Sequence, residues 1–284
     1  MSDNPLRGYF RQPKIYITLP SQLKYYPPGA IEETETGEFP VYAMTASDEM
    51  ALKTPDALLN GQSTVDVIQS CIPNIKNAWF MPSLDLDAVL IAIRIATYGE
   101  MMEIKTQVPN VGEEREYQVD LRQLLDNLLG NTFDEIVEVD NLLVHIRPMT
   151  YREFTKNALK TFEEQRIFSL VNSEDMSEEE KLDRFNQSFK KLTQLTVGMI
   201  SDSISAIEFD DNKVSDPAHI KEFLENADKK FYSSIVKHIE AQKDKFSLKP
   251  LTINSESQDI ENGAPESYEV PIIFDQANFF AQGY

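Results

Sequence analysis

Ser83-Leu84-Asp85-Leu86-Asp87-Ala88-Val89-Leu90-Ile91-Ala92-Ile93-Arg94-Ile95-Ala96-Thr97-Tyr98-Gly99 decides how this chain folds. Its leucines, isoleucines and valine fall on every side of a helical turn, so almost no polar face is left. A helix apolar nearly all round must be surrounded by other elements. Asp85 and Asp87 sit in its first turn, where the helix dipole favours negative charge, and Gly99 ends it. The run predicts a buried central helix from Ser83 to Tyr98. Its most apolar part, Ala88 to Ile93, stops at Arg94, far short of the roughly 20 residues a membrane helix needs.

Upstream, prolines 5, 13, 20, 27, 28 and 40 punctuate the first 40 residues. Between them Lys14-Ile15-Tyr16-Ile17-Thr18-Leu19 alternates and is β-branched, which predicts a short strand. An acidic loop with Glu32, Glu33, Glu35 and Glu38 follows. The expectation is an extended arm that lies along its own domain or along a neighbour. We expect residues 1–30 to contact another molecule, the strand adding to a sheet edge elsewhere. Thr45 with Asp48, then Thr54-Pro55, predict two short helices, and a third is expected from about Ser63 to Cys71.

Downstream, Met101–Val108 and Arg115–Asp120 read as a hairpin, Leu121–Leu129 as a helix stopped by Gly130, and Glu135–Val139 with Leu142–Arg147 as a second hairpin. Thr150 with Glu153 and Ser177 with Glu180 are capping boxes that open two helices. These carry Tyr151, Phe154, Ala158 and Phe162, then Leu182, Phe185, Phe189 and Leu192. A strand near Ile204–Phe209 precedes more helix from Asp216-Pro217, lined by Ile220, Leu224, Phe231, Ile235 and Phe246. Leu248–Ile253 and Tyr268–Phe274 close the chain as β-structure. The fold class is therefore α+β, mainly helical, with β-hairpins and an extended N-terminal arm. Three parts are expected: the arm with one strand over 1–40, a helical and hairpin core domain over 41–149, and a helical segment closed by a C-terminal β-hairpin over 150–284.

The 284 residues carry a net charge of -20. Such a surface repels phosphate, which argues against nucleic acid, slows self-association and suits partners with basic patches. Cys71 is the one cysteine, so an internal disulfide is excluded. With no signal-like opening, the chain reads as a cytosolic product, and no membrane association is expected.

Sequence signatures of catalysis are missing. There is no glycine-rich phosphate loop, no nucleophile elbow and no metal-binding helix motif. His145, His219 and His238 lie in separate elements without ligand spacing. Asp85 and Asp87, two apart on a helix, point in different directions and read as dipole partners rather than a carboxylate pair. Asp210-Asp211-Asn212 lacks the glycine and distal glutamate of a calcium loop and reads as a turn. Cys71 reads as a small buried residue. The aromatic stripes of the C-terminal helices read as core, with a partner groove as the alternative. Trp79 and Phe80, in an expected loop, are candidate interface anchors.

Three runs then converge: Ile15-Tyr16-Ile17-Thr18-Leu19-Pro20-Ser21, Tyr26-Pro27-Pro28-Gly29, and Pro40-Val41-Tyr42-Ala43-Met44-Thr45-Ala46-Ser47-Asp48-Glu49. With Thr54-Pro55-Asp56-Ala57-Leu58, Cys71-Ile72-Pro73 and Leu84-Asp85-Leu86-Asp87, the chain resembles the baseplate hub assembly proteins of T-even-type bacteriophages. The resemblance covers residues 10–150 well and is looser beyond, where Asp275 and Asn278-Phe279-Phe280 resemble the closing segment. Members of that family often carry a Cys-Pro-x-Cys-Gly turn, a zinc knuckle. Here Val108-Pro109-Asn110-Val111-Gly112 puts valine at both cysteine positions. Thiolates bind such a metal, so zinc is ruled out at this turn, and an apolar pair is expected to clip it by packing. A similar strand, turn and strand near residues 248–274 suggests a weak repeat of hairpins.

The resemblance implies a non-enzymatic tail protein that assembles the baseplate hub or stays in it as a subunit. It would act in the host cytoplasm during assembly, or in the tail baseplate itself. The implied partners are other baseplate, hub, tail tube or tape-measure proteins, with self-association left open. No cofactor and no metal are expected. The candidate contact residues are Tyr16, Tyr26, Trp79, Phe80, Phe279 and Phe280. An acidic adaptor unrelated to virion assembly, or an enzyme with a polar pocket, are the competing readings.

Overall fold

A computed structural model describes residue 6 and residues 9–53, 61–170, 177–210 and 212–272. The helix expected at Thr54-Pro55 and the residues Phe279 and Phe280 lie outside these. The strands are β1 (Pro13–Ile17), β2 (Phe39–Tyr42), β3 (Met101–Gln107), β4 (Glu114–Asp120), β5 (Ile136–Val139), β6 (Leu142–Ile146), β7 (Ile204–Phe209), β8 (Asn212–Val214), β9 (Leu251–Asn254) and β10 (Ser267–Val270). The helices are α1 (Ala46–Leu52), α2 (Gln62–Cys71), α3 (Leu86–Tyr98), α4 (Leu121–Leu129), α5 (Tyr151–Leu170), α6 (Glu178–Asp202), α7 (Pro217–Asn226), α8 (Lys229–Lys245) and α9 (Ser257–Glu261). The fold is α+β and mainly helical.

The central helix forms as its composition demands. Residues Ala88 to Ala96 are all buried, Arg94 included, and α3 ends at Gly99, whose φ of 94° favours glycine. A short 3-10 turn, Ser83–Asp85, leads into it. Around it pack Ile17, Leu19, Phe39 and Val41 from β1 and β2, Val65, Val67 and Ile68 from α2, and Leu121 and Leu125 from α4. The strand in the arm therefore pairs with the chain's own β2, Ile17 opposite Phe39 and Ile15 opposite Val41. Further along, Ile31 bridges Ile75, and Lys76 donates its N–H to Ala30 O at 2.9 Å. Residues 13–31 thus lie along the chain's own domain, one of the two placements expected for the arm.

A second core lies under a four-stranded antiparallel sheet in the order β5-β6-β7-β8. Val144, Ile146, Ile204 and Ile207 on its inner face meet Ile220, Leu224, Phe231 and Ile235 of α7 and α8. The sheet joins strands from both sides of the Met149-Thr150 boundary. Asp228 caps α8, its carboxylate accepting the Phe231 N–H at 2.8 Å.

The two remaining hairpins, β3–β4 and β9–β10, pack on each other. Val108, Ala264, Tyr268 and Val270 form a small third core, with Val111 against it. Both valines of the expected cysteine positions therefore pack as an apolar clip. Polar links complete the seam: Arg115 pairs with buried Asp259 at 2.8 Å, Tyr117 and Tyr268 share a hydroxyl hydrogen bond at 2.7 Å, and Asn110 donates to Gly263 O at 3.1 Å. The return chain between β9 and β10 contains α9, which was not expected.

Candidate interaction surface

Asp85 is fully buried, and its carboxylate does not cap its own helix. Oδ1 accepts the Ser21 N–H at 2.7 Å, and Oδ2 accepts the hydroxyls of Ser21 at 2.6 Å and Tyr26 at 3.0 Å. Burial pushes the carboxyl up to about 6, opposed by the hydrogen bonds from Ser21 and Tyr26. Burial, with Asp85 beside it, raises the Tyr26 hydroxyl well above its ordinary range. This corrects the reading of Asp85 as a dipole partner: it ties the arm to the central helix. Asp87 faces elsewhere. Burial raises it to about 6, against a backbone hydrogen bond from Leu248. The two carboxylates hold different segments and do not act as a pair.

The other candidate groups are also committed to structure. The Cys71 thiol is buried, and burial pushes it up to about 12. Arg11 reaches past it to Ala43 O and Ser70 O, both at 2.6 Å. His145 lies 3.1 Å from Glu208 on neighbouring strands, and His238 lies 2.9 Å from Asp134 O. His219 lines a mainly apolar cleft of about 270 Å³ with Leu142, Ile207, Phe209 and Phe223. Among the described residues no three His, Cys, Asp or Glu side chains cluster to hold a metal ion. No described helix is long and apolar enough to cross a membrane.

The structure separates the aromatic candidates. Tyr16 is 55% exposed on β1, whereas Tyr26 spends its hydroxyl on Asp85. Trp79 and Phe80 lie in a 3-10 turn, Ala78–Phe80, capped by Asn77 rather than in an open loop. Trp79 stacks on Tyr151 with ring centroids 5.6 Å apart, and the Arg152 guanidinium lies over Phe80 at 5.1 Å and Trp79 at 5.8 Å. Trp79 packs against the main core. These contacts are internal, so Trp79 mainly anchors the start of α5 to the N-terminal core. Gly61 allows the same approach: a Cβ there would lie 3.1 Å from the Tyr151 hydroxyl, and its φ is +77°.

The larger surface is one that the sequence reading gave to the core, with a partner groove as the alternative. Phe162, Leu182 and Phe189 are 58%, 62% and 61% exposed, and Phe154 and Phe185 are exposed as well. All lie on the hairpin of α5 and α6. Ser188, buried within a run of exposed residues, and Glu164, paired with Lys191 at 3.3 Å, mark the faces the two helices turn to each other. Each residue advances a helix by about 100°. Turning from these marks in the same sense reaches Phe154, Ala158, Phe162 and Gln165 on α5, and Leu182, Phe185, Phe189 and Thr193 on α6. The helices run antiparallel, so both arcs open on the same side of the hairpin. The Asp, Glu, Lys and Arg side chains described on the two helices fall outside these two arcs. The 3-4-3 spacing of Leu182, Phe185, Phe189 and Leu192 was the available signal; nothing in the sequence showed that these side chains would stand exposed.

A family model described as T4 bacteriophage base plate protein matches residues 33–262. The chain belongs to this family. The matched span takes in the buried helix α3, the clipped hairpins, the four-stranded sheet and the exposed hairpin of this baseplate protein. It runs well past residue 150, further than the resemblance carried by the residues themselves. The Ile15–Ser21 and Tyr26–Gly29 runs lie outside it. No curated protein and no solved structure matches the baseplate protein.

Proposed function

We propose that this baseplate protein is a non-enzymatic component of the baseplate hub, acting during hub assembly or as a hub subunit through contacts with other tail proteins. The observation that carries the reading is how the polar groups are used. Asp85, Asp87, Arg115 and Asp259 are spent on holding segments together and Cys71 is buried, while large exposed apolar side chains stand on helices and strands. Enzymes need titratable groups converging on a cleft. Interfaces instead need aromatic and aliphatic anchors on a firm scaffold. The -20 charge suits basic partners over the remaining surface.

The test is a phage in which this chain is deleted, complemented in trans. Tail intermediates lacking a hub should accumulate without it, and purified virions examined by mass spectrometry separate a retained subunit from a transient factor. Normal tails from the deletion would sink the hub reading.

A further inference from the structure

We propose that the exposed cationic row Arg152, Lys156 and Lys160 on α5, with Trp79 and Phe80 at its head, docks an acidic segment of another protein. The proposal deepens the reading of a chain that works by contacts, and rests on it only in taking the partner to be a polypeptide. The first observation is charge. Carboxylates outnumber cations 47 to 27 in this chain, so an exposed cation ordinarily finds one close by. These three, spaced four residues apart, lie along one side of α5 and are exposed. None of them has an ion pair or a side-chain hydrogen bond among the described residues. The carboxylates in reach turn elsewhere: Glu153 pairs with Arg147 at 2.9 Å, and Glu164 with Lys191 at 3.3 Å. Glu163, exposed at the far end, is the one acid of α5 on this side, and it pairs with neither lysine.

The second is preorganisation. A cation in the first turn of a helix works against the dipole, and Arg152 is held there by rings instead. Its guanidinium lies 5.1 Å from the centre of Phe80 and 5.8 Å from that of Trp79, which is itself stacked on Tyr151. The rings hold the fork in place while its N–H groups have no acceptor of their own, and such a fork takes a carboxylate through two parallel hydrogen bonds. Tryptophan and arginine are also the residue types that most often anchor interfaces. The third is spacing. Successive members of the row are about 6 Å apart along the helix axis, so the three span about 12 Å. Alternate residues of an extended segment rise by about 6.6 Å, so glutamates at every second position meet the three cations in turn. Nucleic acid offers anions too, but its unbroken line of charge is repelled by the rest of a chain at -20.

Fluorescence anisotropy of the full chain with a labelled peptide of alternating glutamate and alanine tests this. The same peptide with glutamine for glutamate, and an oligothymidylate of equal length, are measured beside it. The glutamate peptide should bind saturably and the glutamine peptide should not. Arg152→Glu, and Lys156→Glu together with Lys160→Glu, should each weaken binding at least about tenfold. Glu163→Gln should tighten it about twofold, the opposite sign, because it removes the one carboxylate on this side of α5. The two lysines make no ion pair or hydrogen bond among the described residues, so their double variant should keep the circular dichroism and urea midpoint of the parent, whatever Arg152→Glu loses with its ring contacts. No saturable binding of the glutamate peptide, equal binding of the glutamine peptide, or an affinity indifferent to the lysine variant overturns the proposal. So does tighter binding of the oligothymidylate, which would make the row a nucleic-acid site. Each of these outcomes leaves the hub reading to be decided by the deletion phage.

Discussion

Replacing Asp85 by alanine tests whether the arm is held by a buried carboxylate. Three donors point at it: the Ser21 N–H and the hydroxyls of Ser21 and Tyr26, at 2.7, 2.6 and 3.0 Å. Stranding a buried donor costs about 1–3 kcal/mol, so the three together cost roughly 5 kcal/mol. Part of this is offset. The carboxyl holds its proton to about 6, against about 3.9 in an unfolded chain. Ionised Asp85 therefore burdens the native state by roughly 3 kcal/mol at pH 7, and alanine relieves that. The net loss should be about 2–3 kcal/mol at pH 7. Between about pH 4 and 6 the folded parent chain binds more protons than the unfolded one, so this group adds stability as pH falls. The cost of the alanine should accordingly grow by about 1 kcal/mol at pH 5. Urea unfolding followed by the fluorescence of Trp79, the one tryptophan, reads both values. Asp85→Asn keeps an acceptor for the Ser21 N–H and should cost less, about 1 kcal/mol, with the pH-dependent part gone. A loss below about 0.5 kcal/mol, or one identical at pH 7 and pH 5, would refute the reasoning.

Other outcomes follow from the packing. Ile91, fully buried in α3, should tolerate no charge: Ile91→Asp should cost several kcal/mol and leave most of the protein in the insoluble fraction. Removing residues 1–31 takes Ile17 and Leu19 from the core and strands Asp85, so the truncated chain should lose its cooperative urea transition; a soluble, cooperative product would show the arm to be dispensable. Val108→Ser in the small third core should cost about 1–2 kcal/mol and raise hydrogen exchange in β9 and β10 while leaving the sheet β5 to β8 protected.

The features that were legible in the sequence are those decided locally. Helix α3 announces itself because no face of it is polar, and α4 runs over Leu121–Leu129 as read, its start fixed by Asp120, which accepts the N–H groups of Arg122 and Gln123. The cap of Thr45 with Asp48 and the capping boxes at Thr150 and Ser177 also form as read. What escaped is decided at a distance. Nothing near Asp85 shows that Ser21 and Tyr26 will reach it. Strand β8 was missed because its three residues, Asn212–Val214, are strand only through pairing with β7. The aromatic periodicity of α5 and α6 was visible, but periodicity reports a face and not its cover. In α7 and α8 the same kind of stripe is buried.

The seam between the two small hairpins sets an order of events during synthesis. Arg115 and Asp259 are 144 residues apart, and Tyr117 and Tyr268 are 151 apart. At about 5–20 residues per second on the ribosome, the hairpin β3–β4 waits on the order of ten seconds for its mate. Asp85, by contrast, closes on Ser21 only 64 residues after it. The nascent chain thus acquires its central helix and arm early and carries an unclosed hairpin through most of its elongation. The apolar side of that hairpin, with Val108 at its turn, is the part most in need of protection before the clip shuts.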